Sequence, residues 1–320
     1  MTFRQILEQH QPLQHRRKES QKKLDSARAV FRKERVFQEN EDICVFAAGS
    51  LGRLESGSRS DLDVFVTATE NGAGRLREIE VFSSILNVNT QQGFPELSND
   101  GQFLKIFGVK QNEEKIGSPN DDNENWFTTR MLLLLESNYL CNEAAYHDHK
   151  RKILGFYFRD SAQQEGFRPV FLLNDVLRYW RTLCLNYELA RSGQNKSWKK
   201  RNLNLRYSRL LTVFGTVLPL MLIKDVSVEK IEELSSYTPM ERLARGLEML
   251  GSAPDLEADF PSFLDFYEEF LSIKETTDFN EVDDDVRAGL KDKADYIAKF
   301  VYRALNHSTV PEALRRYLVI

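Results

Sequence analysis

The chain has 320 residues, of which 41% are hydrophobic and 29% charged, with a formal net charge of −4. That length suits one large domain or two ordinary ones, and the acidic balance argues against a protein that coats duplex DNA. Three widely spaced cysteines, Cys44, Cys141 and Cys184, set out neither a disulfide framework nor a metal-binding spacing, so a reducing cytoplasm is the expected compartment.

No apolar run reaches the length of a membrane span. The longest, Leu210 to Ile223, is interrupted by Thr212, Gly215, Thr216 and Pro219 and reads as a buried helix, so no membrane insertion is expected. The first residues lack the apolar centre of a secretory leader.

In chain order, residues 1–40 read as a helical segment. It is basic at Arg16, Arg17, Lys18, Lys22 and Lys23, and apolar at Leu24, Ala27, Val30 and Phe31. Ile43 to Ala48 reads as a strand. It breaks at Gly49-Ser50, and Ser50 to Glu55 reads as a short helix carrying Arg53. A second strand follows from Asp61 to Val66, with Asp61, Asp63 and Phe65 on one side and Leu62, Val64 and Val66 on the other.

Residues 71–87 read as an amphipathic helix whose apolar face is Leu76, Ile79, Phe82 and Leu86. Turn signals fill residues 89–102. Phe103 to Val109 reads as a strand with Lys105 near its start. Residues 111–125 read as a polar loop, and Phe127 to Ser137 as a buried apolar helix that carries Arg130 and Glu136. After about residue 144 the chain reads as successive helices: 144–158, 168–192, 203–223, 238–250, 260–273, 283–306 and 310–318. The expected architecture is α/β (α+β), with a small mixed-sheet core at 41–150 after the helical segment 1–40, and a helical domain at 151–320.

The chemistry concentrates between Val45 and Val66. A strand that places two carboxylates on one face gives up burial there, and the pair repels unless a cation lies between them. Oxygen ligands at that spacing suit Mg²⁺, which takes one or two carboxylates plus substrate phosphates. A Gly-Ser turn entering a helix offers backbone N–H groups to a phosphate. Together, Gly49, Ser50, Asp61 and Asp63 read as a phosphoryl- or nucleotidyl-transfer site. A P-loop would need Gly-Lys-Ser/Thr instead.

These residues resemble the signature of the DNA polymerase β-like nucleotidyltransferases, Gly-Ser followed by Asp-x-Asp on the next strand. Leu51-Gly52-Arg53-Leu54-Glu55 and Ser60-Asp61 look most like the bacterial branch that includes uridylyltransferases of the PII signal protein. The resemblance implies a nucleotidyltransferase core that binds a nucleoside triphosphate through Mg²⁺, with Mn²⁺ as a substitute. It implies transfer of the nucleoside monophosphate to a hydroxyl, with release of pyrophosphate. It also implies a third carboxylate from a later strand, for which Asp100 is the candidate and Glu96 the alternative; Ser98 to Gly101 equally reads as a plain hairpin turn. The two-metal arrangement clamps the attacking and leaving oxygens of an in-line displacement.

Further cations are candidates for the nucleotide. Arg53 either meets a phosphate or pairs with Glu55. Lys105 either meets the triphosphate or faces solvent on a sheet edge. Arg178 either pairs with Asp175 one helical turn away or helps close a face over the base. Arg206 and Arg209 end the basic stretch Lys196 to Arg209, interleaved with Trp198 and Tyr207, and either line a cleft between the halves or are solvated. The acceptor is left between a protein hydroxyl, as in the uridylyltransferases, and a nucleotide or oligonucleotide, as in a bacterial defence system that makes a nucleotide signal; a third reading is a non-catalytic nucleotide-binding partner. His147 and His149 lie two apart on a helix and should point to different faces, without a metal-ligand pattern. Asp283 to Asp285 reads as helix-start capping rather than a calcium loop.

Overall fold

The computed structural model describes residues 1–70, 72–95, 97, 104–161, 166–192, 198–277 and 282–319. It is a mixed α/β structure that divides into two compact units. A sheet unit comprises residues 16–167 and 227–236, and a helical unit comprises residues 1–15, 168–226 and 237–320. The sequence placed divisions at 40 and 150. Residues 1–15 instead join the helical unit, because Phe3 packs edge-on to Phe260 at 5.3 Å and Arg4 pairs with Glu248 at 2.5 Å.

The sheet unit holds strands β1 (Ile43–Ala47), β2 (Val64–Ala68), β3 (Ile106–Gly108) and β4 (Asn138–Cys141), in the order β3-β2-β1-β4. β1 runs antiparallel to β2 and β4, while β3 is parallel to β2. Helices α1 (Phe3–Gln9), α2 (Gln11–Phe31) and α3 (Arg35–Gln38) precede the sheet. The short α4 (Gly49–Gly52) links β1 to β2, and α5 (Arg75–Gln91) follows β2. Helices α6 (Val109–Lys115), α7 (Pro119–Asn123) and α8 (Trp126–Leu135) lie between β3 and β4, and α9 (Glu143–Phe156) follows β4.

Every residue of β1 and β2 is buried, which explains why β1 shows no polar alternation. One sheet face, with Val45, Ala47, Val64 and Val66, packs in a core with Leu24, Ala27 and Phe31 of α2 and Val81, Ile85 and Val88 of α5. On the other face Phe46 stacks on Phe65 at 5.7 Å and meets Tyr146 of α9 at 6.5 Å. Each fully buried aliphatic side chain of this kind contributes about 1.5–3 kcal/mol.

Several sequence expectations need correcting. The second strand begins at Val64 rather than Asp61, because β1 ends at Ala47 opposite Val64 and only the Ala48 N–H bond to Asp63 O (2.9 Å) extends the ladder. The short helix ends at Gly52, where Arg53 caps it and Leu54 turns to a left-handed φ of 57°. The third strand is confined to Ile106–Gly108, and Phe103 lies outside the described residues. Residues 111–125 are largely helical: Gly117 breaks α6, and Ser118-Pro119 opens α7. On α5 the expected core residues Leu76, Ile79 and Leu86 are 78%, 53% and 50% exposed, and Phe82 alone of that face packs partly on the core.

The helical unit contains α10 (Val170–Ser192), α11 (Trp198–Asn204), α12 (Leu210–Leu222), α14 (Pro239–Met249), α15 (Pro254–Thr276), α16 (Asp284–Leu305) and α17 (Glu312–Arg315); α13 (Val228–Ser236), not foreseen from the sequence, belongs to the sheet unit. The expected single helix 203–223 is interrupted by a π-helical turn at Leu205–Arg209. α12 is buried along its length except at Phe214, and its Thr212 and Thr216 hydroxyls donate back to Ser208 O and Thr212 O at 2.8 and 2.9 Å. Gly215 and Gly246 permit close packing of α12 on α14: an added Cβ would lie 2.7 Å from Pro239 O or 3.0 Å from Leu218. Asp283 caps α16 by accepting from Asp285 N at 2.8 Å. Among the described residues no helix is long and apolar enough to cross a membrane.

Candidate active site

The Gly-Ser turn and the Asp-Leu-Asp segment meet at one end of the sheet. β1 runs into Ala48, which caps α4 in an extended conformation, and Gly49 takes a φ of 64°. That left-handed angle favours glycine, and space requires it as well. A Cβ on Gly49 would lie 2.2 Å from Asp63 Oδ2, so the Asp63 carboxylate occupies the room a side chain would fill. Leu62 is buried in the sheet core at 1% exposure, while its neighbours Asp61 and Asp63 stay part-exposed. The first amides of any helix lack intrahelical acceptors, and here those amides belong to the Gly49-Ser50 turn beside a carboxylate.

The loop between turn and carboxylates is held from α2. The buried Ser20 hydroxyl accepts from Ser56 N at 2.9 Å and donates to Ser56 O at 3.4 Å, and Lys23 Nζ donates to Gly57 O at 2.6 Å. Gly57 N donates to Ser60 Oγ at 2.9 Å. These bonds tie the Ser56-Gly57 segment, which leads to Asp61, to α2.

The other candidate residues have the following places. Arg53 is buried, and its guanidinium bonds Glu55 at 2.8 Å and also Glu136. The Glu55 partner is the one expected from the sequence; Glu136, at the end of α8, is not. Lys105 precedes β3, with Nζ 3.7 Å from Glu124 and 4.6 Å from the Trp126 ring centre. Trp126 Nε1 donates to Glu124 at 2.9 Å, and this bond, with Lys105 adding to it, holds the Glu124 carboxyl below its ordinary range. Asp100 and Glu96 lie outside the described residues.

Arg178, Arg206 and Arg209 belong to the helical unit. Arg178 lies 3.3 Å from Asp175, which is buried, and Arg206 pairs with Asp295 of α16. Arg209 ends the π-helical turn. His147 pairs with Glu232 at 3.1 Å, whereas His149 faces the sheet.

Among the described residues no three His, Cys, Asp or Glu side chains gather into a complete cation cage. Asp61 and Asp63, two residues apart at the end of the sheet and both part-exposed, are the carboxylates that the sequence motif offers to a cation. Two carboxylates fit Mg²⁺, which keeps several waters and completes its shell with substrate phosphates. The glycine-made recess that seats Asp63 against the turn is consistent with that use.

Residues outside the sequence motif also shape the site. Ser20, Lys23, Glu136 and Asn138 anchor its loops from distant parts of the chain. Lys23 and Glu136 stood out in the sequence only as charged positions, with nothing local to tie either to the turn. No protein-family model matches this chain, and no curated protein matches it.

Proposed function

We propose that this chain is a metal-dependent nucleotidyltransferase, moving a nucleoside monophosphate from a triphosphate to a hydroxyl acceptor. The observation that carries the reading is the seat of Asp63 against Gly49, with Asp61 two residues before it and the Ser50 turn beside it. The resemblance of Gly49-Ser50 and Asp61-Leu62-Asp63 to the polymerase β-like signature supports the same reading.

In this reading an acceptor hydroxyl gives up its proton to solvent as its oxygen bonds to the α-phosphorus, the bond from that phosphorus to the bridging oxygen breaks, and pyrophosphate leaves with the electron pair. A divalent cation bound at Asp61 and Asp63 would neutralise charge on the triphosphate. The chain's own contribution is placement: the carboxylates are held at the sheet end, and the Gly49-Ser50 turn would offer its backbone N–H groups to the phosphates.

The test is incorporation of label from each NTP and dNTP with Mg²⁺ or Mn²⁺, separating protein-bound label from free product. Wild type should transfer label, and Asp61→Asn and Asp63→Asn should abolish transfer while unfolding like wild type. Equal incorporation by those variants would refute the assignment. Free oligomer would point to a nucleotide acceptor and protein-bound label to a modified hydroxyl. Nucleotide binding without transfer would mark a non-catalytic partner.

A further inference from the structure

Arg53 is 4% exposed, on a segment that borders loops. Its backbone N–H closes α4 by donating to Gly49 O at 3.0 Å. Its side chain reaches back to residues 136–138, where α8 ends and β4 begins. There Glu136 accepts from the guanidinium, and Asn138 Nδ2 donates to Gly52 O at 2.8 Å. Gly52 packs so closely that an added Cβ would lie 2.1 Å from Glu136 O. The turn is thus anchored at its far end on one short segment. At its near end Gly49 touches Asp63, whose carbonyl accepts from Ala48 N at 2.9 Å.

A buried ion pair is seldom the most stabilising way to fill a space, since apolar residues of equal volume do as well or better. What a planar guanidinium held by two carboxylates does supply is a fixed direction. Here that direction is along the turn that backs a candidate metal ligand.

We propose that Arg53 and Glu136 form a positioning clamp: they hold the turn so that Gly49 keeps Asp63 in place, and loosening them weakens cation binding by Asp61 and Asp63. The proposal rests on the nucleotidyltransferase reading and assigns Arg53 to orienting the site rather than to touching a phosphate.

The test uses Mn²⁺ alone as probe, with the free ion followed by its paramagnetic resonance signal. The full chain is compared with Asp61→Asn, Asp63→Asn, Glu136→Gln and Arg53→Lys. Asp63→Asn should abolish binding. Glu136→Gln and Arg53→Lys should each weaken it by roughly tenfold or more, the usual effect of removing a group that orients a ligand. Saturating Mn²⁺ should restore full occupancy in both.

Should Arg53→Lys fail to fold, Glu136→Gln, which keeps shape and an acceptor oxygen, carries the test. A merely structural pair would lower the melting temperature and leave the Mn²⁺ dissociation constant unchanged. Binding lost in Asp63→Asn but kept in both clamp variants overturns the clamp alone. A wild type that binds no Mn²⁺, or binds it equally after Asp61→Asn and Asp63→Asn, overturns the nucleotidyltransferase reading and the clamp's role with it.

Discussion

The hydroxyl of Thr67 on β2 lies 2.9 Å from Nδ1 of His149 on α9, and Thr69 meets the other ring nitrogen at 3.1 Å. A neutral imidazole has one donor and one acceptor, and hydroxyls can answer either. Burial pushes the His149 pKa down from 6.5 to about 4.

That shift makes stability depend on pH. Between pH 6.5 and about 4 the unfolded chain takes up a proton at His149 that the folded chain refuses. The contribution is complete above 6.5 and is lost as pH falls through this window, roughly 3 kcal/mol in all. Urea unfolding of wild type and His149→Gln at pH 7, 5.5 and 4 checks it. Wild type should lose more stability than the variant over that range; parallel losses would place the proton elsewhere.

A second expectation concerns Arg130, which is fully buried. It bonds both oxygens of Asp121 at 2.9 and 3.0 Å, Asn112 Oδ1 at 3.0 Å and Tyr157 Oη at 2.7 Å. Asp121→Asn leaves a buried cation without its counter-charge and should cost roughly 3–5 kcal/mol in denaturant unfolding. Replacing both partners, Arg130→Met with Asp121→Asn, should recover part of that loss. A double variant less stable than the sum of the singles would contradict the argument.

The two glycines of the turn should fail differently. An alanine at position 49 meets the end of a side chain, Asp63 Oδ2, at 2.2 Å; one at position 52 meets backbone, Glu136 O at 2.1 Å and Ala47 O at 2.7 Å. A carboxylate can move aside and a packed backbone cannot. Gly49→Ala should therefore lose about 1–2 kcal/mol from its left-handed angle and most of its Mn²⁺ affinity. Gly52→Ala should suffer the larger fall in melting temperature. Thermal unfolding and Mn²⁺ titration of both variants decide the ranking.

The strand–turn–strand around Gly49 was legible because its signals are local: an apolar run, a Gly-Ser break, then alternation around Leu62. What the sequence could not convey was partner choice. α5 carries two apolar stripes at helical spacing, and the sheet covers Val81, Ile85 and Val88 while leaving Leu76, Ile79 and Leu86 outside. Nothing local distinguishes the stripe that meets the sheet. Residues 111–125 looked like loop because they are polar, yet Asp121 among them is wholly buried as the counter-ion of Arg130. For Arg53, Glu55 was within reach of pattern reading, but Glu136 was not, since only the fold brings α8 to the turn.

The exchange of segments between the two units bears on how the chain is made. Residues 1–15 belong with a body whose last piece is residues 237–320, and residues 227–236 return to the body built from residues 16–167. Phe3 is synthesised long before Phe260 and must wait for it before its ring is covered. Contacts this distant along the chain form slowly and leave apolar groups open to wrong partners meanwhile. Helix α1 thus waits for a partner far along the chain, and a cut at residue 167 would leave each half without a segment that the other half carries.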